Sequence, residues 1–247
     1  MAILTTKELT KRFGGLTAVN KVSLDILEGH LTSIIGPNGA GKTTFFNLIT
    51  GLYKPTSGRI FFNKEDITDL PVHRIIKKGI SRSFQVLNLF DELTIFENVW
   101  IGAQAEQGHG KELFSTTESL EGVKKRTTEI IARMGLFEKA DTPVKYLSHG
   151  DRRILEIAIS LTSNPTLLLL DEPMSGLASE EREKMSHFIK ELSKDLTIVV
   201  VEHDMDVVFS ISDYIVVMHQ GKVIAKGKPE EVRQNEQVQE AYLGGVR

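Results

Sequence analysis

The chain of 247 residues carries a formal net charge of −3 from 30 basic and 33 acidic side chains, and 40% of it is apolar. That length holds one large α/β core with room for a smaller lobe, and the near balance of charge offers no broad basic surface for nucleic acid or anionic lipid. Cysteine is absent, which excludes disulfides, thiolate catalysis and sulfur-ligated metals together.

Residues 1–7 lack the apolar stretch of a signal peptide, and the longest apolar runs, such as 167–170 and 198–201, fall far short of the ~20 residues of a bilayer crossing. A soluble, cytoplasmic chain is expected. Segments 3–12, 22–27 and 59–62 are short and partly alternating, with glycine-rich turns between them, and predict an antiparallel β layer. Within this region the apolar stretch 31–35 reads as a buried strand that runs into Gly36, Pro37, Asn38, Gly39, Ala40, Gly41, Lys42, Thr43 and Thr44. The run fills the phosphate-binding pattern G-x-x-x-x-G-K-[ST] without a mismatch, and Phe45, Phe46, Leu48 and Ile49 behind it share one helical face. Glycines let successive N–H groups turn toward phosphates, and the helix N-terminus adds a favourable partial charge. Lys42 then bridges the β- and γ-phosphates of a nucleoside triphosphate while the Thr43 hydroxyl binds magnesium.

From about residue 86 to 160, apolar residues recur at helical spacing: Ile95, Phe96 and Val99, then Ile130, Ile131 and Met134, then Ile154, Leu155, Ile157, Ala158 and Leu161. This predicts an inserted helical lobe. Residues 104–129, polar and containing Gly108-His109-Gly110, read as a loop and then a solvated helix without chemistry. Four leucines at 167–170 end in Asp171, Glu172 and Pro173, followed by a helix over 179–192, a strand over 197–201 and a helix over 205–211. Such alternation implies a mainly parallel sheet with helices on its faces. Ligands of such sheets sit beyond the carboxyl strand ends, so Asp171 and Glu172 belong beside the phosphate loop. There Asp171 can hold magnesium, and Glu172 can polarise an attacking water as general base. Segments 214–218 and 222–226 close a hairpin around Gln220 and Gly221, and a short polar helix begins near Pro229.

Leu147, Ser148, His149, Gly150 and Asp151 stand directly before the amphipathic helix that carries Ile154, Leu155 and Ala158. Here the chain resembles the ATP-binding cassette (ABC) family, the motor subunits of ABC transporters. The resemblance extends over essentially all of residues 1–247. It is most specific toward the ATPases of branched-chain amino acid importers, in Arg12-Phe13-Gly14-Gly15-Leu16, residues 46–51, residues 70–75, Glu202-His203-Asp204-Met205 and the ending Ala241-Tyr242-Leu243-Gly244-Gly245. It implies one ABC ATPase domain with a P-loop NTPase (RecA-like) core, an antiparallel β layer and the inserted lobe at about 86–160.

The resemblance also implies ATP and Mg2+ as the bound species and a set of roles. Phe13 stacks on adenine, Gln85 reaches the magnesium and the attacking water, and His203 touches the γ-phosphate and positions the water. Ser148 and Gly150 contact the γ-phosphate of ATP held by an opposing subunit. The segment with Leu87, Leu89, Phe90, Leu93 and Phe96 becomes a candidate groove for a permease helix. The implied partners are a second ATPase subunit, identical or not, transmembrane permease subunits and an external solute-binding protein, with no nucleic acid. The implied location is peripheral, on the cytoplasmic side of the inner membrane. Three positions depart from the family pattern: His149 stands for a glycine, Asp151 for a glutamine and Ala178 for an aspartate. A urea or amide importer and a lipid or lipopolysaccharide exporter are alternatives, since a motor subunit does not touch cargo.

Overall fold

The structure, a computed structural model, describes residues 1–83, 89–106 and 117–243. It opens with the strands β1 (Ala2–Phe13) and β2 (Leu16–Leu27), which pair antiparallel. After β3 (Leu31–Ile35) and helix α1 (Lys42–Ile49), strands β4 (Ser57–Phe62) and β5 (Glu65–Asp66) complete a four-stranded sheet in the order β2-β1-β4-β5. This is the antiparallel layer that the alternating segments predict.

Short helix α2 (Val72–Lys77) leads into β6 (Ile80–Ser83), and then come α3 (Ile95–Glu106), α4 (Thr117–Arg133) and α5 (His149–Leu161). Between α4 and α5 lie two single 3-10 turns, Phe137–Lys139 and Val144–Tyr146. The chain then alternates through β7 (Leu167–Asp171), α6 (Ser179–Leu192), β8 (Thr197–Val201) and α7 (Met205–Ile211) before the hairpin β9 (Tyr214–His219) and β10 (Lys222–Gly227). Helices α8 (Pro229–Arg233) and α9 (Glu236–Leu243) follow. The second sheet runs β10-β9-β3-β8-β7-β6, with β10 antiparallel to β9 and the other neighbours parallel.

Because successive side chains of a strand point to opposite faces, the apolar runs of β7 and β8 feed two cores at once. Leu167, Leu169, Val199 and Val201 join Phe45, Phe46 and the inner face of the four-stranded sheet. Leu168, Leu170, Ile198 and Val200 join Val99, Ile130, Leu155 and Ile189 from the helices. A third cluster packs α7, α8 and α9 against Ile35, Ile215 and Val217 through Val208, Val232 and Val238. Every residue of β3, β7 and β8 is buried, as largely apolar strands covered on both faces must be.

Two sequence expectations change. The polar stretch before residue 130 does not form a fully solvated helix, because Val123, Thr127, Ile130 and Ile131 of α4 are buried. Their spacing of four, three and one residues is that of a buried helical stripe. Strand β6 has no counterpart in the sequence reading, since its Ile-Ser-Arg-Ser composition hides a fully buried edge strand.

Candidate functional site

Strands β3, β7 and β8 run parallel and in register, so the segments after Ile35, Asp171 and Val201 emerge together. The first is the phosphate loop, which curls through positive φ at Gly36, Gly39 and Gly41 into the N-terminus of α1. Only glycine fits at two of these. A Cβ at Gly36 would stand 2.0 Å from the Met218 carbonyl oxygen, and one at Gly41 would stand 2.3 Å from that of Ala18. Lys42 Nζ folds back onto the loop, donating to the carbonyls of Gly36 at 2.7 Å and Pro37 at 3.2 Å. Burial pushes this ammonium below its ordinary range, against the pull of Glu172 and Asp171.

A cavity of about 500 Å³ opens over the loop, within the range for a cofactor or drug-sized ligand. Asn38, Gly39, Ala40, Gly41, Lys42, Thr43 and Thr44 form its floor, with Glu172 on one side and Phe13, Thr17 and Ala18 on another. Phe13 is 43% exposed, so its ring is not a core residue and is open to stacking. Tyr53 meets that ring edge-on at 5.4 Å between centroids, and Lys11 Nζ stands 5.1 Å from its centre.

Asp171 lies beneath the cavity, fully buried. Its Oδ2 accepts from Arg82 Nη2 at 2.6 Å, and Arg82 Nη1 donates to Asn47 Oδ1 of α1 at 2.5 Å. Asp171 Oδ1 has no hydrogen-bond partner among the described residues. A buried anionic oxygen of this kind, together with the exposed Thr43 hydroxyl, suits a hard divalent cation or its water. Among the described residues, no three His, Cys, Asp or Glu groups gather closely enough to cage a metal alone. Such a cation would therefore take further oxygens from phosphate and water, as Mg2+ does.

Glu172 adopts φ 49°, the left-handed region, which costs a non-glycine residue of order 1–3 kcal/mol. Its N–H donates to the Val201 carbonyl at 2.9 Å, and its own carbonyl accepts from Ser175 N–H at 3.1 Å. Across from it, His203 has a side chain 60% exposed, while the adjoining Glu202 side chain is almost wholly buried. Burial pushes the Glu202 carboxyl above its ordinary range, opposed by hydrogen bonds from the Met174 and His203 N–H groups, and the charge of nearby Glu172 adds to the rise.

Ser148 and Gly150 do not line this cavity. Ser148 Oγ caps α5 by accepting the Asp151 N–H at 3.1 Å, and Gly150 N–H donates to Glu181 Oε1 at 3.3 Å. The other Glu181 oxygen accepts the Ala178 N–H at 3.3 Å, so one carboxylate ties the start of α5 to the start of α6. Asp151 is paired with Lys139 at 2.6 Å, and His149 is an exposed surface histidine. Gln85 and Leu87 lie outside the described residues. Phe90 is exposed, whereas Leu89 and Phe96 pack partly against the helical core. Arg82, Asn47, Glu181 and Glu202 have no part in the sequence reading of the site. For Glu202, the only local signal is a carboxylate placed directly after the apolar run 198–201.

Residues 19–175 match the protein family described as "ABC transporter", and residues 222–247 match one described as "Branched-chain amino acid ATP-binding cassette transporter". The high-affinity branched-chain amino acid transport ATP-binding protein LivG of Salmonella typhimurium is 41% identical, over 98% of this chain and 98% of that protein. The corresponding BraF protein of Pseudomonas aeruginosa is 42% identical over the same shares. Among solved structures, the ADP conformation of MJ1267, an ATP-binding cassette of an ABC transporter, superposes with a TM-score of 0.88 at 32% identity, covering 99% of each chain. A dimeric post-hydrolysis state of the cassette MJ0796, bound to ADP and Pi, gives 0.75 at 31% identity over 92% of this chain and 98% of that one.

Removing Arg82 leaves the Asp171 carboxylate buried without its guanidinium, and breaking such a pair costs about 3–5 kcal/mol. Arg82→Ala should therefore lower the urea midpoint with little change in slope. Combining it with Asp171→Asn should cost less than the two single losses added, as expected of residues in contact.

Proposed function

The chain belongs to the ABC transporter family of ATP-binding proteins, and from that premise we propose that it is the ATP-hydrolysing motor of a branched-chain amino acid importer. The ATPase reading is carried by the single cavity that joins the phosphate loop, Phe13 and Glu172. The cargo is supported by full-length relatives named for branched-chain amino acid transport and by the match over residues 222–247.

In this reading adenine lies against Phe13 and the phosphates lie over residues 36–44. Lys42 exchanges the Gly36 and Pro37 carbonyls for phosphate oxygens, replacing neutral acceptors with charged ones. Thr43 and Asp171, with Gln85 where the family pattern puts it, would hold magnesium, and the ion would supply neutralisation of phosphate charge. Glu172 takes a proton from the water whose oxygen attacks the γ-phosphorus, while the bond to the bridging oxygen of ADP breaks. His203 orients the γ-phosphate for that attack.

Ser148 and Gly150 do not line the cavity of their own chain; in keeping with the family pattern they serve the nucleotide of a second subunit, and two subunits close around two ATP molecules. The dimeric cassette among the similar structures supports this arrangement. Binding energy available only in the closed dimer shifts the population toward closure, and hydrolysis reverses it. No described helix is long and apolar enough to cross a membrane. In this reading, which the named transport relatives support, transport runs through partner permeases, with the chain peripheral on the cytoplasmic side of the inner membrane and a solute-binding protein supplying cargo outside.

Glu172→Gln should keep ATP binding, lower turnover by about 10²–10⁴-fold and elute as a dimer with ATP and magnesium in size-exclusion chromatography. Retained turnover would remove Glu172 as the base. Isolated from solubilised membranes, the same variant should bring two permeases identifiable by mass spectrometry, whereas lipid-export components would overturn the importer assignment. Lys42→Ala removes charged hydrogen bonds worth about 1.5–3 kcal/mol each. Its ATP affinity, read by titration calorimetry, should fall by about tenfold or more, and unchanged affinity would contradict the phosphate-loop reading.

A further inference from the structure

Glu202 is 1% exposed and sits between the end of β8 and His203. A carboxylate so far from water is retained where it satisfies other buried groups. Its Oε1 accepts the Met174 N–H at 3.0 Å, and its Oε2 accepts the His203 N–H at 3.3 Å. Met174 is two residues past Glu172, inside the turn closed by the Ser175 N–H on the Glu172 carbonyl. One side chain therefore ties the loop of the general base to the loop of the histidine, and the tie lies next to the residue held at φ 49°.

A left-handed non-glycine residue persists only where its surroundings over-determine it. Here the bond from Glu172 N–H to Val201 holds one side of the turn, and Glu202 holds the other through Met174. We propose that Glu202 is a positioning residue that sets the separation of Glu172 and His203 and so aligns water attack, without itself touching nucleotide. The role rests on the assignment of Glu172 and His203 made above. The buried Met174 N–H needs an acceptor, the part-buried His203 N–H finds one beside it, and a carboxylate offers one oxygen to each. A carboxamide presents its own N–H₂ to one of the two donors and loses that tie. Aspartate keeps the charge but is shorter by one methylene.

The test uses the full chain carrying Glu202→Gln or Glu202→Asp, with kcat and KM for ATP, nucleotide affinity and melting temperature measured on each. Misplacement of reacting groups by about 1 Å can cost roughly 100-fold in rate. The expected result is a fall in kcat of about 10- to 100-fold, with KM and ATP affinity changed less than about twofold. In the Glu172→Gln background, the residual turnover should fall less than about twofold further, because a brace has nothing left to align once the base is gone. A folded Glu202→Gln or Glu202→Asp protein with unchanged kcat, a loss expressed in KM alone, or a full additive loss beside Glu172→Gln would each overturn the role. The single Glu172→Gln protein reports separately on the base: its full activity would sink that assignment whatever the Glu202 variants do, while its inactivity beside a normal Glu202→Gln overturns the brace alone.

Discussion

The burial of strands β3, β7 and β8 on both faces is the constraint from which the site follows. Their side chains alternate between two separate cores, so sliding one strand by a single residue would exchange all of its contacts. The register is consequently rigid, and the heights at which the phosphate loop, Asp171 and Glu202 leave the sheet are set by packing rather than by the loops. Loops positioned in this way can carry unfavourable local geometry. The left-handed Glu172 and the curled glycines are examples, because the strands beneath them absorb the cost.

Charge in this protein is held rather than left to water wherever it approaches the site. Arg82 spans Asp171 and Asn47 and so links β7 to α1 beneath the cavity. The departures from the family pattern around Ser148 follow the same rule. The extra negative charge of Asp151 is met by Lys139, and Glu181 accepts N–H groups from both Gly150 and Ala178. The start of α5 therefore keeps its helical N-terminus and its hydroxyl despite the altered residues. The absence of an aspartate at 178 is accompanied by a carboxylate three residues on that binds the same backbone.

What the sequence makes legible is what is local. The strand at 31–35, the phosphate loop and the helical face of Phe45, Phe46, Leu48 and Ile49 form one continuous signal, and α6, β8 and α7 begin and end where their periodicity changes. Strand β6 escapes notice because its buried residues are serine and arginine, whose burial depends on partners far along the chain. The buried stripe of α4 is masked by the lysines and arginine between Val123 and Thr127, although the spacing itself is present. Phe13 is legible as a candidate, and its exposure excludes a plain core ring. The tie from Glu202 to Met174 crosses 28 positions and leaves no pattern that a local reading could find.

Lys42 rests on the carbonyls of its own loop rather than in solvent, so most of its dehydration is already complete before any phosphate arrives. The loop carries a built-in tension: its cation is held by carbonyl dipoles, which satisfy a positive charge less well than an anion does. That tension is created by the same packing that folds the domain, and in the proposed function nucleotide releases it. Free-energy coupling of this sort makes the thermal resilience of the polypeptide a function of the ambient nucleotide pool. The folded cassette is, in this sense, thermodynamically completed by its fuel.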